Sequence, residues 1–470
     1  MDGMAVAPLY GIGMANGQTT VITSKLLTNI YCEVRPVGEK SQLVGLGFPG
    51  LDLFVDFGAT PVRGMLAVEQ NDKLYAVYRG VLKEINNAGV SVDRGSLGTT
   101  SGGVVMAHNG TQVMIVDGTS GYIFNTLTNV FATITDVDFP ANPTSVCFQD
   151  GYFIVGFANG KFYISALYDG LTWAALDFTT ANAIPDKLIR IFSDHGELIA
   201  FQDTATSFFG NTGAADFPFD RIQGADAEWG LAARDSVVKY DNSVAFLSKN
   251  RMGEVVVGKL TGRQFQKLST PDLDKIINSY TVTSDAVAFS YLLGSHPMYQ
   301  INFPTQGVSW SFDGTTSIWS KRKSYMIERH ICERGTAYLS KIVLSDYNTG
   351  KLYRINPLTL TENGSPIEGE IIGEHWDTEL NYMSIDRIRL DFEVGTGVDT
   401  EPATQVMMQL SRDGGKTYGA EQWRSAGLLG DYVKIVEWRR QGTMRRLTAK
   451  FRITDPIRRV ITGVYLNSKS

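Results

Sequence analysis

The residues of this chain that could do chemistry are densest in one run, LSRDGGKTYG, Leu410 to Gly419. Gly415-Lys416-Thr417 has the form of the tail of a phosphate-cradling loop. Such a loop needs a second glycine five residues before the Gly-Lys pair, so that successive backbone N–H groups wrap the phosphates. Leu410 stands there, and the QWRSAG that follows carries no helical stripe. Ser411, Asp413, Gly415, Thr417 and Tyr418 instead match Ser-x-Asp-x-Gly-x-Thr-Trp with Tyr in the last place, the Asp-box. In this hairpin turn the Asp side chain accepts hydrogen bonds from backbone N–H groups two or more residues on. Glycine takes the left-handed conformation, and the aromatic ring lies on the core beneath. The five residues are read as a structural turn.

Asp-boxes are best known in sialidase propellers, so glycoside chemistry is the first alternative. A sialidase clamps a carboxylate with three arginines and uses a Tyr-Glu nucleophile pair and an Asp acid–base. Its arginine motif, Phe/Tyr-Arg-Ile-Pro, precedes several Asp-boxes. Here Tyr353-Arg354-Ile355-Asn356-Pro357 carries an intruding Asn, and the looser Asp169-Gly170-Leu171-Thr172-Trp173 lacks its Ser. His108, His195, His296, His330 and His375 form no i, i+4 pair and no His-Glu-x-x-His. No Gly-x-Ser-x-Gly elbow is present, and Asp203 and Asp220 read as turn residues. No catalytic, cofactor-binding or metal residue is assigned, and the chain is read as a non-enzyme. A glycan-binding or sialidase-like propeller stays as the alternative.

The elements that position these residues follow from composition and periodicity. The chain has 470 residues, 43% of them hydrophobic and 11% aromatic, with 48 glycines, a mix that suits many short strands joined by glycine turns. Cys32, Cys147 and Cys332 are too few and too scattered for a disulfide framework or a zinc site, which fits folding in a reducing compartment. The segment MDGMAVAPLYGIGMANG lacks a basic n-region and does not read as a signal peptide. No run approaches the ~18 uncharged apolar residues of a membrane span, so no insertion by this chain is expected.

Seven hairpins begin near Asn71, Asn109, Asp150, His195, Asp241, Pro297 and Ser340. Their even spacing predicts an all-β fold with a β-propeller of about seven blades over residues 41–360; six or eight blades fit the same spacing. Strands ending in Trp173 and Trp319 suit blade perimeters. Residues 1–40 are expected to be an arm or docking segment, and Thr361 to Pro366 a linker. Beyond it DRIRLDFEV alternates, with Ile388, Leu390, Phe392 and Val394 on one face and Arg387, Arg389, Asp391 and Glu393 on the other. Residues 367–470 read as an antiparallel β-sandwich.

The net charge of −6 is unevenly placed. Residues 431–460 hold nine Lys or Arg against three acids, a balance of +6, which leaves −12 on the rest. Arg439, Arg440, Arg445, Arg446, Arg452, Arg458 and Arg459 are therefore candidates for an interface with an acidic neighbour or for a channel lining. A solvated strand face is the bland alternative.

From Leu198 onward, FFGNTGAADFPFDRIQGADAEWGLAARDSVVKYDNSVAFLS, KLSTPDLDKIINSY and GSHPMYQINFPTQGVSWSFDGTTSIWSKR follow in order. With FPG at Phe48, VRGM at Val62 and the LSRDGGKTYG turn, the chain resembles the packaged-DNA stabilisation proteins of short-tailed bacteriophages, also called tail hub or tail nozzle proteins. The resemblance implies a structural virion protein assembled in the host cytoplasm as a ring of six below the portal and its adaptor. It implies a role in closing the exit channel, retaining packaged DNA, carrying fibres, spikes or a plug, and letting double-stranded DNA pass without sequence-specific contact.

Overall fold

The computed structural model describes residues 5–7, 15–16, 24–35, 43–181, 186–214, 217–377, 381–396 and 402–469. Each of the seven sequence hairpins becomes the middle of a blade. Blade 1 runs from Val62–Val68 through Lys73–Tyr78 and Val81–Ile85 to Ser91–Ser96, paired antiparallel throughout. Blades 2, 3 and 4 repeat this order, starting at Val105–His108, Pro143–Gln149 and Leu188–Asp194. In blade 5, Gly230–Leu231 and Val238–Tyr240 share the inner edge of Ser243–Lys249. Blade 6 runs from Val287–Leu293 to Ile318–Arg322.

Blade 7 shows how the ring closes. Its three inner strands, Cys332–Tyr338, Lys341–Asp346 and Lys351–Asn356, are consecutive, but its outer strand is Gly50–Asp56, from the other end of the propeller. Ile355 pairs with Leu51 and Leu352 with Val55. An unpaired edge would expose a row of N–H and C=O groups, and a strand from the start of the ring removes it. Inside, first strands meet: Val62–Val68 packs on Val105–His108, that on Pro143–Gln149, and that on Leu188–Asp194. Val238–Tyr240 packs on Val287–Leu293, that on Cys332–Tyr338, and that returns to Val62–Val68. Local turns are set by short acids. Asp117, Asp313 and Asp346 each accept from the backbone N–H two residues on, and in the last two the Thr hydroxyl three residues on also donates. The outer-strand tryptophans turn inward: Trp173 and Trp319 are buried. The only α-helix among the described residues, Pro271–Asn278, is N-capped by Thr270 and buries Leu273 and Ile277 beside Trp319.

The sandwich draws on both ends of the chain. One sheet orders Ile30–Val34, Leu43–Gly47, Val460–Lys469, Met383–Phe392 and Val436–Met444. The other orders Ser24–Thr28, Gly369–Ile372, Arg446–Ile453, Thr404–Ser411 and Gln422–Gly427. Ile30, Cys32, Ile388, Leu390, Phe392, Trp438, Phe451 and Val464 share one core between them. Two expected boundaries therefore move. Residues 24–34 form no separate arm, and 43–47 belong to the sandwich, because Ile30 sits in its core and Leu43 packs against it. The other parts of the 1–40 segment, at 1–4, 8–14, 17–23 and 36–40, lie outside the described residues apart from short strands at Ala5–Ala7 and Ala15–Asn16. Nor is Thr361 to Pro366 a free linker. It folds into a small hairpin whose Glu362 pairs in parallel with Leu51 of the closing strand and is buried.

Candidate functional site: the propeller–sandwich junction and the arginine-rich strands

The Asp-box joins Thr404–Ser411 to Gln422–Gly427 in the sandwich. Asp413 Oδ1 accepts from the N–H of Lys416 at 2.9 Å and of Thr417 at 3.0 Å, and Oδ2 from the Thr417 hydroxyl at 2.6 Å. Ser411 Oγ donates to Asp413 Oδ1 at 2.6 Å and accepts from Gly415 N–H at 2.7 Å. Gly414 and Gly415 take φ of 80° and 90°. Tyr418 is half-buried, with Lys450 Nζ 5.6 Å from its ring centroid. The hydrogen bonds from Ser411 and Thr417 hold the Asp413 carboxyl well below the usual carboxylate range. Ser411, Asp413, Gly415 and Thr417 are engaged with their own turn. Asp413→Ala is expected to lower the thermal midpoint by a few degrees, read by scanning calorimetry, with no change in any glycosidase assay.

The arginines do not form one patch. Arg387, Arg389 and Arg439 share Glu437 on the outer face of the first sheet. Arg440 is exposed with positive φ and no ion pair among the described residues. Arg445 is exposed at the corner between the sheets, its guanidinium carbon 4.4 Å from the Tyr382 ring centroid. Arg446 is half-buried on the strand facing Asp377. Arg452 pairs with Glu421 at 2.7 Å, and exposed Arg458 with Glu393 at 3.5 Å. Arg459 corrects the expectation outright. It is 2% exposed inside the chain and can line neither a channel nor a subunit interface.

Arg459 belongs to a buried charged joint that sequence reasoning missed. Its guanidinium passes so close to Gly47 and Gly369 that a Cβ at either would lie 2.6 and 2.8 Å from Arg459 atoms, and it donates to the Ile367 carbonyl. Beside it sit Arg322, His330 and Glu362, none more than 3% exposed. Arg322 lies 3.9 Å from the centroid of the Phe48 ring, donates to Asn29 Oδ1 at 3.0 Å, and stands 3.8 Å from Glu362 Oε1. His330 Nδ1 is 3.0 Å from Gln300 Nε2, and its Nε2 lies 3.3 Å from Glu362 Oε1. Asn29 is fully buried and in the left-handed region. It also donates to the carbonyls of Lys323 at 2.8 Å and Glu368 at 2.9 Å. It thereby pins the N-terminal strand, the outer strand of blade 6 and the entry to the sandwich at one point. The one sequence signal for this joint is a charged residue inside an apolar strand, as in IWSKR.

Burial, reinforced by Arg322, pushes His330 below its ordinary value of 6.5, so it is neutral in the fold. Burial pushes Glu362 up, but the hydrogen bond to His330 and the charge of Arg322 outweigh it, leaving the carboxyl below its ordinary 4.5. An unfolded His330 takes up a proton that the folded one refuses, so stability falls as the pH drops below 6.5; Glu362 adds a further loss below 4.5. His108 and His375, also depressed by burial, act in the same sense, while exposed His195, raised by its hydrogen bond to Asp194, acts in the opposite one. Melting midpoints are expected to drop between pH 7 and pH 5, and His330→Gln to flatten part of that slope. An unchanged slope in the variant contradicts the assignment.

The side chains of the sialidase-like and phosphate-loop-like motifs are engaged in structure. Tyr353 is buried with its hydroxyl 3.1 Å from Asp346, and Arg354 reaches Asp52 of the closing strand at 3.4 Å. Lys416 has no helix behind it, since Gln422–Gly427 is a strand. Among the described residues no three His, Cys, Asp or Glu side chains gather as a metal ion needs. Cys32, Cys147 and Cys332 are free and buried. One surface stands out as apolar. Between Gly427 and Val436, Leu429, Tyr432, Val433 and Ile435 are exposed, Val433 to 93%, while Asp431 accepts from Leu428 N–H at 3.1 Å and holds the loop in shape.

A family profile described as "Bacteriophage P22 Gp10, beta-propeller" matches residues 7–359, and one described as "Bacteriophage P22 Gp10, beta-sandwich" matches residues 368–469. The tail hub protein gp10 of Salmonella phage P22 is 23% identical over 286 residues. The match covers 57% of this chain and 57% of that relative, so the chain spans little more than half of the relative's length. Among solved structures, the extracellular domain of a putative hybrid two-component system from B. thetaiotaomicron is 9% identical with a TM-score of 0.46, over 79% of this chain and 44% of that one. The computationally designed Ika8 protein is 12% identical with a TM-score of 0.40, over 74% and 100%. Likeness at that level speaks to neither function nor partner.

Proposed function

Because this chain belongs to the bacteriophage P22 Gp10 family, we propose that it is a structural tail hub of a short-tailed phage and not an enzyme. The observation that carries the reading is the pair of family matches, which run in order over a propeller and a sandwich and leave only a short gap at 360–367. In this reading the protein forms a ring, six-fold by the resemblance in the sequence, below the portal and its adaptor. The ring closes the DNA exit, retains the packaged genome and carries a fibre, spike or plug. The exposed arginines Arg440 and Arg445 and the apolar loop at Leu429–Ile435 support protein contacts, since among the described residues neither arginine has an ion pair and the loop is exposed.

The charge split supports a channel through which DNA slides. Each phosphate-contacting cation adds a salt-dependent attraction that brakes passage. A chain that is −12 outside residues 431–460 offers few such brakes. Particles assembled without this protein are expected to package DNA and then lose it, measured as nuclease-accessible genome after packaging. Particles that keep their genomes as well as wild type would sink the retention reading. Purified protein is expected to show no sequence-selective binding of double-stranded DNA at physiological salt.

A further inference from the structure

Three arginines face a single carboxylate at the centre of the propeller. The short turn Arg234–Ser236 of blade 5 reaches to the ring of inner strands. Arg234 holds Asp235 at two points, 2.9 and 3.2 Å, and its outer nitrogens approach the carbonyls of Thr144 in blade 3 and Gly103 at the entry to blade 2, both at 3.4 Å. Arg334 of blade 7 reaches Asp235 Oδ2 at 3.1 Å. Arg190 of blade 4 donates to the Arg234 carbonyl at 2.8 Å. Five blades thus send groups to one point beside the axis.

The charges at that point do not balance. Asp235 offsets one guanidinium of three, which leaves +2, and no second carboxylate pairs with these arginines among the described residues. Arg190 Nε is buried and has no hydrogen-bond partner among the described residues. An unpaired buried N–H of a charged group is costly, and like charges in a poorly solvated space add to the cost. Burial, with Arg234 and Arg334 adding to it against Asp235, pulls the Arg190 guanidinium down to about 10. The backbone also makes room here. A Cβ on Gly103 would lie 2.9 Å from Arg234 Nη2, 3.0 Å from Asp235 Oδ2 and 3.1 Å from Arg334 Nη2, so only glycine leaves the two guanidinium ends free to converge. The side chains of Arg234 and Arg334 keep 29% and 20% of their surface, so the cluster is reached from solvent.

We propose that the propeller axis is a binding site for one small tetrahedral oxyanion of the phosphate or sulfate kind, held by Arg190, Arg234 and Arg334 beside Gly103. Guanidinium forks match the spacing of such oxygens and give charge-assisted hydrogen bonds to them. The anion supplies the missing counter-charge and ties blades 2, 3, 4, 5 and 7 together at the axis. The site is internal to one chain, so it stands or falls apart from the tail-hub reading.

The test uses the full-length chain and inorganic phosphate, followed by thermal melting and by titration calorimetry, with sodium chloride at equal ionic strength as the comparison. Phosphate is expected to raise the melting midpoint saturably and to bind at one site per chain. Arg190→Gln and Arg334→Gln are each expected to weaken that binding by about tenfold or more, while Arg440→Gln on the sandwich surface leaves it unchanged. Should Arg190→Gln not fold, Arg190→Lys keeps the charge without the fork and is expected to fold and bind more weakly. Phosphate that stabilises no better than chloride overturns the proposal, as does undiminished phosphate binding in Arg190→Gln or, where that variant does not fold, in Arg190→Lys.

Discussion

Glu362→Ala is expected to cost about 3–5 kcal/mol and to uncouple the propeller from the sandwich. The carboxylate is 3% exposed and is the one anion among Arg322, His330 and Arg459 in the described residues. Its removal leaves two guanidinium groups buried with no counter-charge, and breaking one side of a buried ion pair costs far more than the intact pair contributes. Those guanidinium groups sit where Phe48, Asn29 and the Ile367 carbonyl meet, between blades 6 and 7 and the sandwich. Arg322→Met combined with Glu362→Leu removes one charge of each sign and fills the space with apolar atoms. That double variant is expected to recover part of the loss. Denaturant unfolding of the two variants checks both statements. A Glu362→Ala protein as stable as wild type contradicts the account of the joint.

A chain that begins at Phe48 keeps the closing strand of blade 7 but loses Ser24–Thr28, Ile30–Val34 and Leu43–Gly47 of the sandwich, with the short strands Ala5–Ala7 and Ala15–Asn16 that pair on the same two sheets, and its expected effect is larger. Leu27, Ile30, Cys32 and Val44 are all buried, and each large aliphatic among them contributes about 1.5–3 kcal/mol on burial. Their loss also uncovers Ile371 and Ile461 on the strands that remain and Ile457 in the turn before the last of them. Asn29 goes with them, so Arg322 loses its acceptor and the Lys323 and Glu368 carbonyls lose their donor. Limited proteolysis is expected to digest the truncated chain beyond Pro366 and to leave the propeller resistant. Equal resistance of the sandwich in truncated and full-length chains would show that the N-terminal strands are dispensable.

What was legible in the sequence is what is local. Each blade hairpin announces itself through alternating apolar residues and an Asn, Asp or Gly turn, so the seven starts from Asn71 to Ser340 map one to one onto blades. The Asp-box was legible for the same reason: its partners all lie within seven residues. The closing strand Gly50–Asp56 was not, because its pairing with Lys351–Asn356 spans some three hundred residues and leaves no mark in either segment. The same holds for Ile30–Val34 and Leu43–Gly47, whose sandwich neighbours are at the far end of the chain. Thr361 to Pro366 has linker composition, yet Glu362 is drawn inward by Arg322 and His330, which nothing beside it in sequence reveals. Among seven clustered arginines, only the fold separates buried Arg459 from exposed Arg440. The axial set of Arg190, Arg234 and Arg334 is spread over three blades and has no sequence pattern at all.

Electron microscopy of the virion tail tests the central claim most directly. The tail-hub reading predicts a closed ring at the DNA exit whose repeating unit is a seven-bladed propeller with its sandwich attached, present once per subunit around a six-fold axis. A tail whose exit density has no place for this propeller and sandwich, in particles known to contain the chain, would contradict it.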